Sequence, residues 1–358
     1  MSSLRVLALS MLVACICSPA PGQAPTPAAP TAANPWIVGA PFPDPSEELL
    51  GATANGKLYV LCGLAPGWKP KALVYEYDPA ANQWTKKQPM RLASHHVAFA
   101  SLNNKIYAFG GFSLPEAGPP AWSPLNNAWE YDPAADQWRE LAPMPTRRGA
   151  ASAAVVNGKI YVTGGADSLP GVTENGIHPA RPHNVLATVE EYDPAANTWK
   201  TARSLLLPRN HHAAIGVGGH VFVIGGRVGG AFISSASNNV DLVEMYDPAT
   251  DIWTARARMP TPRSAIGAGV FGNHILVAGG EGQDQRFLAA FKAVEAYDTV
   301  LNRWQILPSM PHPRHGLAVG AIDNRLYTVS GDGQSAGNGI AHSAVPFNEI
   351  LQMDLLLK

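Results

Sequence analysis

A fixed interval between tryptophan and glycine recurs six times along the chain and constrains the fold more than any other feature. Each repeat has 27 residues between a tryptophan and the second residue of the next small-residue pair. The tryptophans are Trp36, Trp84, Trp138, Trp199, Trp253 and Trp304, and the paired glycines are Gly63, Gly111, Gly165, Gly226, Gly280 and Gly331. From glycine to the following tryptophan the interval varies, being 21, 27, 34, 27 and 24 residues. Because loops tolerate insertion and packed strands do not, the variation belongs to one loop of each repeat.

Each repeat combines three strand signals with tight turns. An alternating run such as Ile160-Tyr161-Val162 precedes the small-residue pair. A tyrosine lies seven residues before five of the tryptophans, at Tyr77, Tyr131, Tyr192, Tyr246 and Tyr297. The 34 Gly and 32 Pro residues also favour short strands over long helices. The sequence therefore predicts an all-β fold.

This pattern resembles the kelch repeat over nearly all of residues 34 to 354, through its double glycine, its Tyr-Asp turn and its spaced tryptophan. The resemblance implies a six-bladed β-propeller. Cys62 and Ser330 replace the first glycine in the first and last copies, and no tryptophan follows the last copy. Because Trp36 precedes the first pair by the standard interval, it belongs to the last blade. We therefore expect residues 35–37 to pair with residues 350–355 and close the ring.

The N-terminal segment predicts export. After Arg5, an apolar run over residues 6–16 is too short for a stable bilayer anchor but suits a signal peptide, which we assign to residues 1–17. Residues 12–15 resemble the lipobox of bacterial lipoproteins, which makes Cys15 the lipidation candidate and places the protein in the periplasm or at the outer membrane. The alternative is an ordinary cleaved signal and secretion. The Pro- and Ala-rich residues 18–33 are predicted to be a linker, and residues 34–358 the propeller.

Charge and cysteine content exclude two classes of interaction. The 26 basic and 27 acidic residues leave no basic excess for a nucleic-acid partner. Cys62 is the only cysteine outside the N-terminal segment, so the propeller has no internal disulfide. Packing must stabilise the fold, and membrane contact is expected only through the lipid anchor.

The linkers into the first strand of each repeat align in three polar columns. In repeat order these are Ser46, Ser94, Arg148, Arg209, Arg263 and Arg314; Glu47, His95, Gly149, Asn210, Ser264 and His315; and Glu48, His96, Ala150, His211, Ala265 and Gly316. We expect the columns to surround one mouth of the channel, where guanidinium groups suit an anionic ligand. The alternative is structural pairing with acidic residues that recur nine positions before a tryptophan, namely Glu190, Glu244 and Glu295.

Residues just after the glycine pairs are further ligand-binding candidates, namely Asp167, Arg227, Glu281 and Asp332. The histidine pairs His95-His96 and His211-His212 do not predict a metal site. Neighbouring residues on a strand face opposite sides, so each pair offers one inward ligand, and the two pairs lie two repeats apart. We expect no metal and no other cofactor.

Three function classes fit this sequence. The favoured one is a non-enzymatic binding module at the cell envelope, whose partner is an unknown protein or an anionic carbohydrate. The second is similar to the periplasmic N-acetylneuraminate epimerases (mutarotases). That resemblance implies that the arginine column holds a carboxylate and that Glu47, Glu48, His95 or His315 moves the proton. The third is a galactose-oxidase-like copper enzyme, which needs a tyrosine cross-linked to a cysteine. It is the least favoured, because Cys62 lies in a regular strand.

Overall fold

Six four-stranded antiparallel sheets form the fold in the computed structural model, which describes residues 34–117, 121–170, 176–178, 182–229, 238–283, 288–335 and 343–357. Within these ranges every regular element is a strand, and no helix is long and apolar enough to span a bilayer. The expected six-bladed β-propeller is confirmed. The predicted signal segment, Cys15 and the linker over residues 18–33 lie outside the described residues.

In each blade the first strand lines the channel and the fourth strand lies outermost. Blade one contains Leu50–Ala54, Lys57–Leu61, Val74–Asp78 and Gln83–Lys86. Blade two contains Ala98–Leu102, Lys105–Phe109, Ala128–Asp132 and Gln137–Glu140. Blade three contains Ser152–Val156, Lys159–Thr163, Val189–Asp193 and Thr198–Ala202. Blade four contains Ala213–Val217, His220–Ile224, Val243–Asp247 and Ile252–Ala255. Blade five contains Gly267–Phe271, His274–Ala278, Val294–Asp298 and Arg303–Ile306.

Blade six is built from both ends of the propeller sequence. It contains Ala318–Ile322, Arg325–Val329, Asn348–Gln352 and the N-terminal strand Trp36–Val38. Trp36 pairs with Leu351, and Ile37 with Ile350, in antiparallel register. The closure predicted from the position of Trp36 is therefore confirmed. Closing the last blade in this way covers the outer edge of Asn348–Gln352, which would otherwise lie unpaired.

The repeated tyrosine and tryptophan fill the space between blades. In five blades the two rings pack with centroids 4.8–5.1 Å apart. Each repeat tryptophan also donates its indole N–H to a backbone carbonyl that follows or precedes a strand of the adjacent blade. The acceptors, taken from Trp36 onward, are Pro308, Ala40, Gln88, Ala142, Arg203 and Ala257. The fixed interval thus reflects the position of the tryptophan indole. This side chain must pack on the tyrosine and donate its N–H at one point in the blade interface.

The first strands of the six blades contact one another and enclose a central channel. Its main cavity has a volume of about 260 Å³ and is lined largely by small residues such as Ala52, Ala100, Ala153 and Gly269. We call one end the loop face. There the linkers into the first strands meet the loops between the second and third strands. Four of these loops carry short ladders of their own, Leu64–Ala65 with Lys69–Pro70, Phe112–Ser113 with Ser123–Pro124, Ala166–Asp167 with Asn184–Val185, and Glu281–Gln283 with Leu288–Ala290.

Candidate functional site

Four buried ion pairs hold the linkers of blades three to six. Each joins a linker arginine to the second residue of the third strand in the same blade. The pairs are Arg148–Glu190 at 2.8 Å, Arg209–Glu244, Arg263–Glu295 at 2.6 Å and Arg314–Glu349 at 2.6 Å. All four arginine side chains are fully buried. Burial lowers the pKa of each guanidinium, to about 10 for Arg209 and Arg314, so all four stay charged at neutral pH.

Blades one and two have neither member of this pair. Their linkers carry Ser46 and Ser94, and their third strands carry Tyr75 and Trp129 at the position of the glutamate. Arginine thus occurs only where a glutamate faces it. The structure shows the pairing with acidic residues that the sequence left open. It also corrects the expected placement, because these guanidinium groups lie inside the blades and not around the channel mouth.

The third linker column forms a ring at the loop-face end of the channel. Its six members, Glu48, His96, Ala150, His211, Ala265 and Gly316, have φ angles of 51–54°. Five of them donate their backbone N–H to the carbonyl of the ring member in the adjacent blade, at 2.9–3.5 Å. This left-handed backbone narrows the channel to a cavity of about 50 Å³ that all six residues line. The ring therefore brings side chains from different blades close to the axis.

A polar cluster surrounds this narrow point and consists of Glu48, His96, His211, Arg227, Glu281 and His315. Arg227 donates from Nη1 to Glu281 Oε1 at 2.8 Å and from Nη2 to His211 Nε2 at 2.9 Å. Glu48 lies 3.1 Å from His96 Nε2 through Oε2 and 3.8 Å from His315 Nε2 through Oε1. His315 Nε2 is also 3.5 Å from Glu281 Oε2. Every member is at most 9% exposed.

The charges in the polar cluster follow from burial and from its internal contacts. Burial disfavours ionisation of Glu48, but His96, His315 and Arg227 outweigh it and lower its pKa to about 2. Burial also disfavours protonation of His315, but nearby carboxylates, Glu281 first, raise its pKa to about 9. Burial and Arg227 hold the pKa of His211 well below its ordinary value. At neutral pH the cluster therefore contains an ionised Glu48, a protonated His315 and a neutral His211.

An aromatic cluster adjoins the polar cluster on the loop face and consists of Trp68, Phe112, Trp122 and His178. The Trp122 ring lies 5.9 Å from Trp68 and 4.9 Å from His96, and Trp68 lies 5.0 Å from His178. Trp68 and His178 are half-buried, whereas Trp122 is buried. The indole N–H of Trp122 has no hydrogen-bond partner among the described residues.

Two family models match the chain. One, described as the KLHDC2/KLHL20/DRC7 Kelch-repeats domain, matches residues 50–280, and a second, the Kelch motif, matches residues 262–311. The chain belongs to the kelch-repeat family. This assignment agrees with the small-residue pair and the tryptophan found in all six blades and with the tyrosine found in five of them.

The kelch relatives are longer proteins. The chain is 30% identical over 280 residues to Kelch-like protein terF of Aspergillus terreus, which covers 76% of this chain and 58% of terF. It is 27% identical to human Kelch-like protein 23, covering 78% of this chain and 44% of that protein. It is 25% identical to alpha-scruin of Limulus polyphemus, covering 78% of this chain and 29% of the scruin. The chain thus spans about half or less of the length of most of these relatives.

A solved structure, titled "Structure of YjhT", has the same kelch fold. The two align with a TM-score of 0.71 over 89% of this chain and 98% of that chain, at 19% sequence identity. At this identity the likeness shows the fold alone.

The remaining candidate residues divide between the polar cluster and its surroundings. Glu47 and Asp332 both lie close enough to His315 to raise its pKa, and His95 Nδ1 contacts His96 Nδ1. Asp167 instead pairs with the exposed Arg147 at 3.1 Å. The sequence reasoning missed Trp68 and Trp122, although both fall outside the repeat interval and could have been identified by that exception.

Proposed function

We propose that this kelch propeller is an exported, non-enzymatic module that binds a ligand or a protein partner through its loop face. The observation that supports this most is the aromatic cluster beside the polar cluster, in which Trp68 and His178 are half-buried. Aromatic rings supply large contact area, and the Trp122 N–H, for which the described residues offer no acceptor, can donate to a bound ligand. The six loops of variable length surround the same face, as a scaffold with adaptable recognition loops requires.

The placement of the arginines narrows what this module would recognise. Arg148, Arg209, Arg263 and Arg314 are neutralised inside the blades, so they lend no support to an anionic ligand. Among the described residues of the polar cluster, Arg227 and His315 are the cationic groups. We therefore infer a ligand with a ring that stacks on Trp68, such as a sugar or an aromatic side chain. Comparison of neutral and acidic ligands tests the charge of this ligand.

Thermal shift of the purified protein against neutral sugars, sialic acid, uronic acids and envelope extract fractions tests this proposal. A ligand at about 100 times its dissociation constant adds about 2.7 kcal/mol to stability. We expect any hit to be lost in Trp68→Ala/Trp122→Ala and kept in Leu301→Ala, which alters an exposed residue in a turn at the opposite end of the propeller. Equal binding by both variants would place the ligand elsewhere. Mass spectrometry of the processed N-terminus tests export, since a lipoprotein begins at a modified Cys15.

A sugar-acid epimerase is the second candidate, and one observation favours it. Glu48 and His315 provide an ionised carboxylate and a protonated imidazole 3.8 Å apart, which could act as base and acid on one substrate. Exchange of sugar-acid anomers followed by NMR tests this reading, and Glu48→Gln should abolish any exchange. The copper-oxidase reading gains no support, because the fully buried Cys62 thiol contacts the Glu48 carbonyl and its pKa is raised by burial to about 12.

A further inference from the structure

We propose that Glu48, His96 and His211 form a binding site for a divalent metal of the Zn²⁺ class at the loop-face end of the channel. One carboxylate oxygen and two imidazole nitrogens of these residues lie within 4.8 Å of one another, and all three side chains are buried. Two imidazoles and a carboxylate suit Zn²⁺, Cu²⁺ or Ni²⁺ better than Mg²⁺ or Ca²⁺. The site is independent of the proposed ligand on the aromatic cluster.

The ring explains why residues from distant blades meet. Strand alternation and the separation by two repeats predicted no shared metal for the two histidine pairs. The left-handed ring members instead approach the axis, and the His96 and His211 rings lie 4.7 Å apart. The cavity of about 50 Å³ that the ring members line has room for an ion and a water molecule.

Both imidazoles are oriented as metal ligands usually are, by a hydrogen bond at the other ring nitrogen. His211 Nδ1 lies 2.7 Å from Asn210 Oδ1, which can only accept, so the lone pair of His211 is at Nε2. His96 Nδ1 contacts His95 Nδ1, which leaves His96 Nε2 directed at Glu48. That Nε2 atom is buried and has no correctly directed hydrogen bond among the described residues, although Glu48 Oε2 is 3.1 Å away.

Arg227 competes with the metal in this arrangement. Its Nη2 occupies the lone pair of His211 Nε2, while its Nη1 is held by Glu281. A bound ion would take the place of Nη2 at His211, and the ion pair with Glu281 could remain. Removing this guanidinium should therefore strengthen metal binding, an effect that a purely structural role for the cluster does not produce.

Calorimetric titration of the chelator-treated full chain with Zn²⁺, and the visible spectrum of its Co²⁺ form, test the proposal. We expect one equivalent of Zn²⁺ to bind, Mg²⁺ not to compete, and Co²⁺ to give the absorption of a site with imidazole ligands. Glu48→Gln, His96→Ala and His211→Ala should each weaken binding by at least about tenfold. Arg227→Ala should tighten it, and His274→Ala, at the start of the second strand of blade five and at the end of the propeller opposite the loop face, should leave it unchanged.

Two results would overturn the proposal. One is a wild-type protein that binds no equivalent of Zn²⁺ and gives no Co²⁺ absorption. The other is Zn²⁺ binding of equal affinity in His96→Ala/His211→Ala, provided that thermal melts in chelator show the variant to be folded. If that variant does not fold, the Arg227→Ala comparison and the wild-type Co²⁺ spectrum decide. Trp68→Ala tests the ligand on the aromatic cluster and should leave these metal readouts unchanged, because the Trp68 ring packs on Trp122 and His178.

Discussion

Arg263 and Glu295 form a fully buried ion pair in blade five, with Nη1 2.6 Å from Oε2. Arg263 also donates to the carbonyls of Thr261 and Val277, and the Thr261 hydroxyl donates to the other oxygen of Glu295. The linker is thus fastened to the second and third strands at one point. Because the guanidinium and the carboxylate satisfy each other without solvent, loss of either one leaves a buried charge unpaired.

Arg263→Ala should therefore lower the free energy of unfolding by about 3–5 kcal/mol. Urea unfolding followed by circular dichroism measures this. The matched control is Arg139→Ala, whose arginine is 59% exposed and pairs with Glu130 on the surface, so its cost should be below about 1 kcal/mol. Similar losses in the two variants would show that burial does not control the strength of the pair.

Trp36→Ala should destabilise the protein by about 3–5 kcal/mol, because the ring is 7% exposed and its N–H donates to Pro308. Trp36 lies in the strand that closes blade six, so hydrogen exchange should also become faster in its partner strand Asn348–Gln352. The comparison is Trp68→Ala, which removes a half-buried ring on the loop face and should cost less. Unchanged exchange in the partner strand would contradict the closure.

Gly165→Ala should cost more stability than Gly272→Ala. Gly165 has a φ of 107°, and a Cβ there would lie 2.9 Å from the Gly149 carbonyl oxygen. Gly272 has a φ of 57° with open space around it, a conformation that Ala265 already adopts at 51°. We expect about 1 kcal/mol for Gly272→Ala and at least about 2 kcal/mol for Gly165→Ala. Thermal melts compare the two, and equal costs would show that the second glycine of the pair is not required by its backbone.

The propeller was predictable because its determinants repeat. One interval located the strands, the turns and the role of Trp36, and each of these was confirmed. The pairing of Arg314 with Glu349 was less accessible. The other glutamates lie nine residues before a tryptophan, but the fourth strand of blade six comes from the N-terminus, so no tryptophan follows Glu349.

The candidate site was predictable only in part. The linker columns identified Glu48, His315 and their neighbours, but not their geometry. Strand alternation predicted one inward histidine in each pair, whereas His96 and His211 adopt left-handed backbone at the ring, where alternation does not apply. A glycine in a sequence signals that a positive φ is possible at that position. A histidine or a glutamate gives no such signal, even where it adopts a positive φ. The distance between residues of different blades across the channel axis likewise depends on the closed propeller and cannot be inferred from any one repeat.

We expect Asp136 to make the stability of the interface between blades one and two depend on pH. The Asp136 carboxylate accepts hydrogen bonds from the Tyr131 hydroxyl and the Gln88 backbone N–H, and Lys87 lies 3.8 Å away. Burial opposes its ionisation, but these contacts outweigh it and lower its pKa below the ordinary 3.8. In three other blades an asparagine accepts the same two bonds, at Asn82, Asn197 and Asn302.

Asp136→Asn should therefore keep the hydrogen bonds and remove the titration. A lowered folded-state pKa contributes stability that is present above pH 3.8 and is lost as pH falls through the folded value. We expect the wild type to exceed the variant in urea midpoint at pH 6 and the two to converge towards pH 2. Asn197→Asp is the reciprocal control and should introduce such a pH dependence into blade three. A constant difference between wild type and Asp136→Asn from pH 6 to 2 would mean that the Asp136 charge does not stabilise this interface.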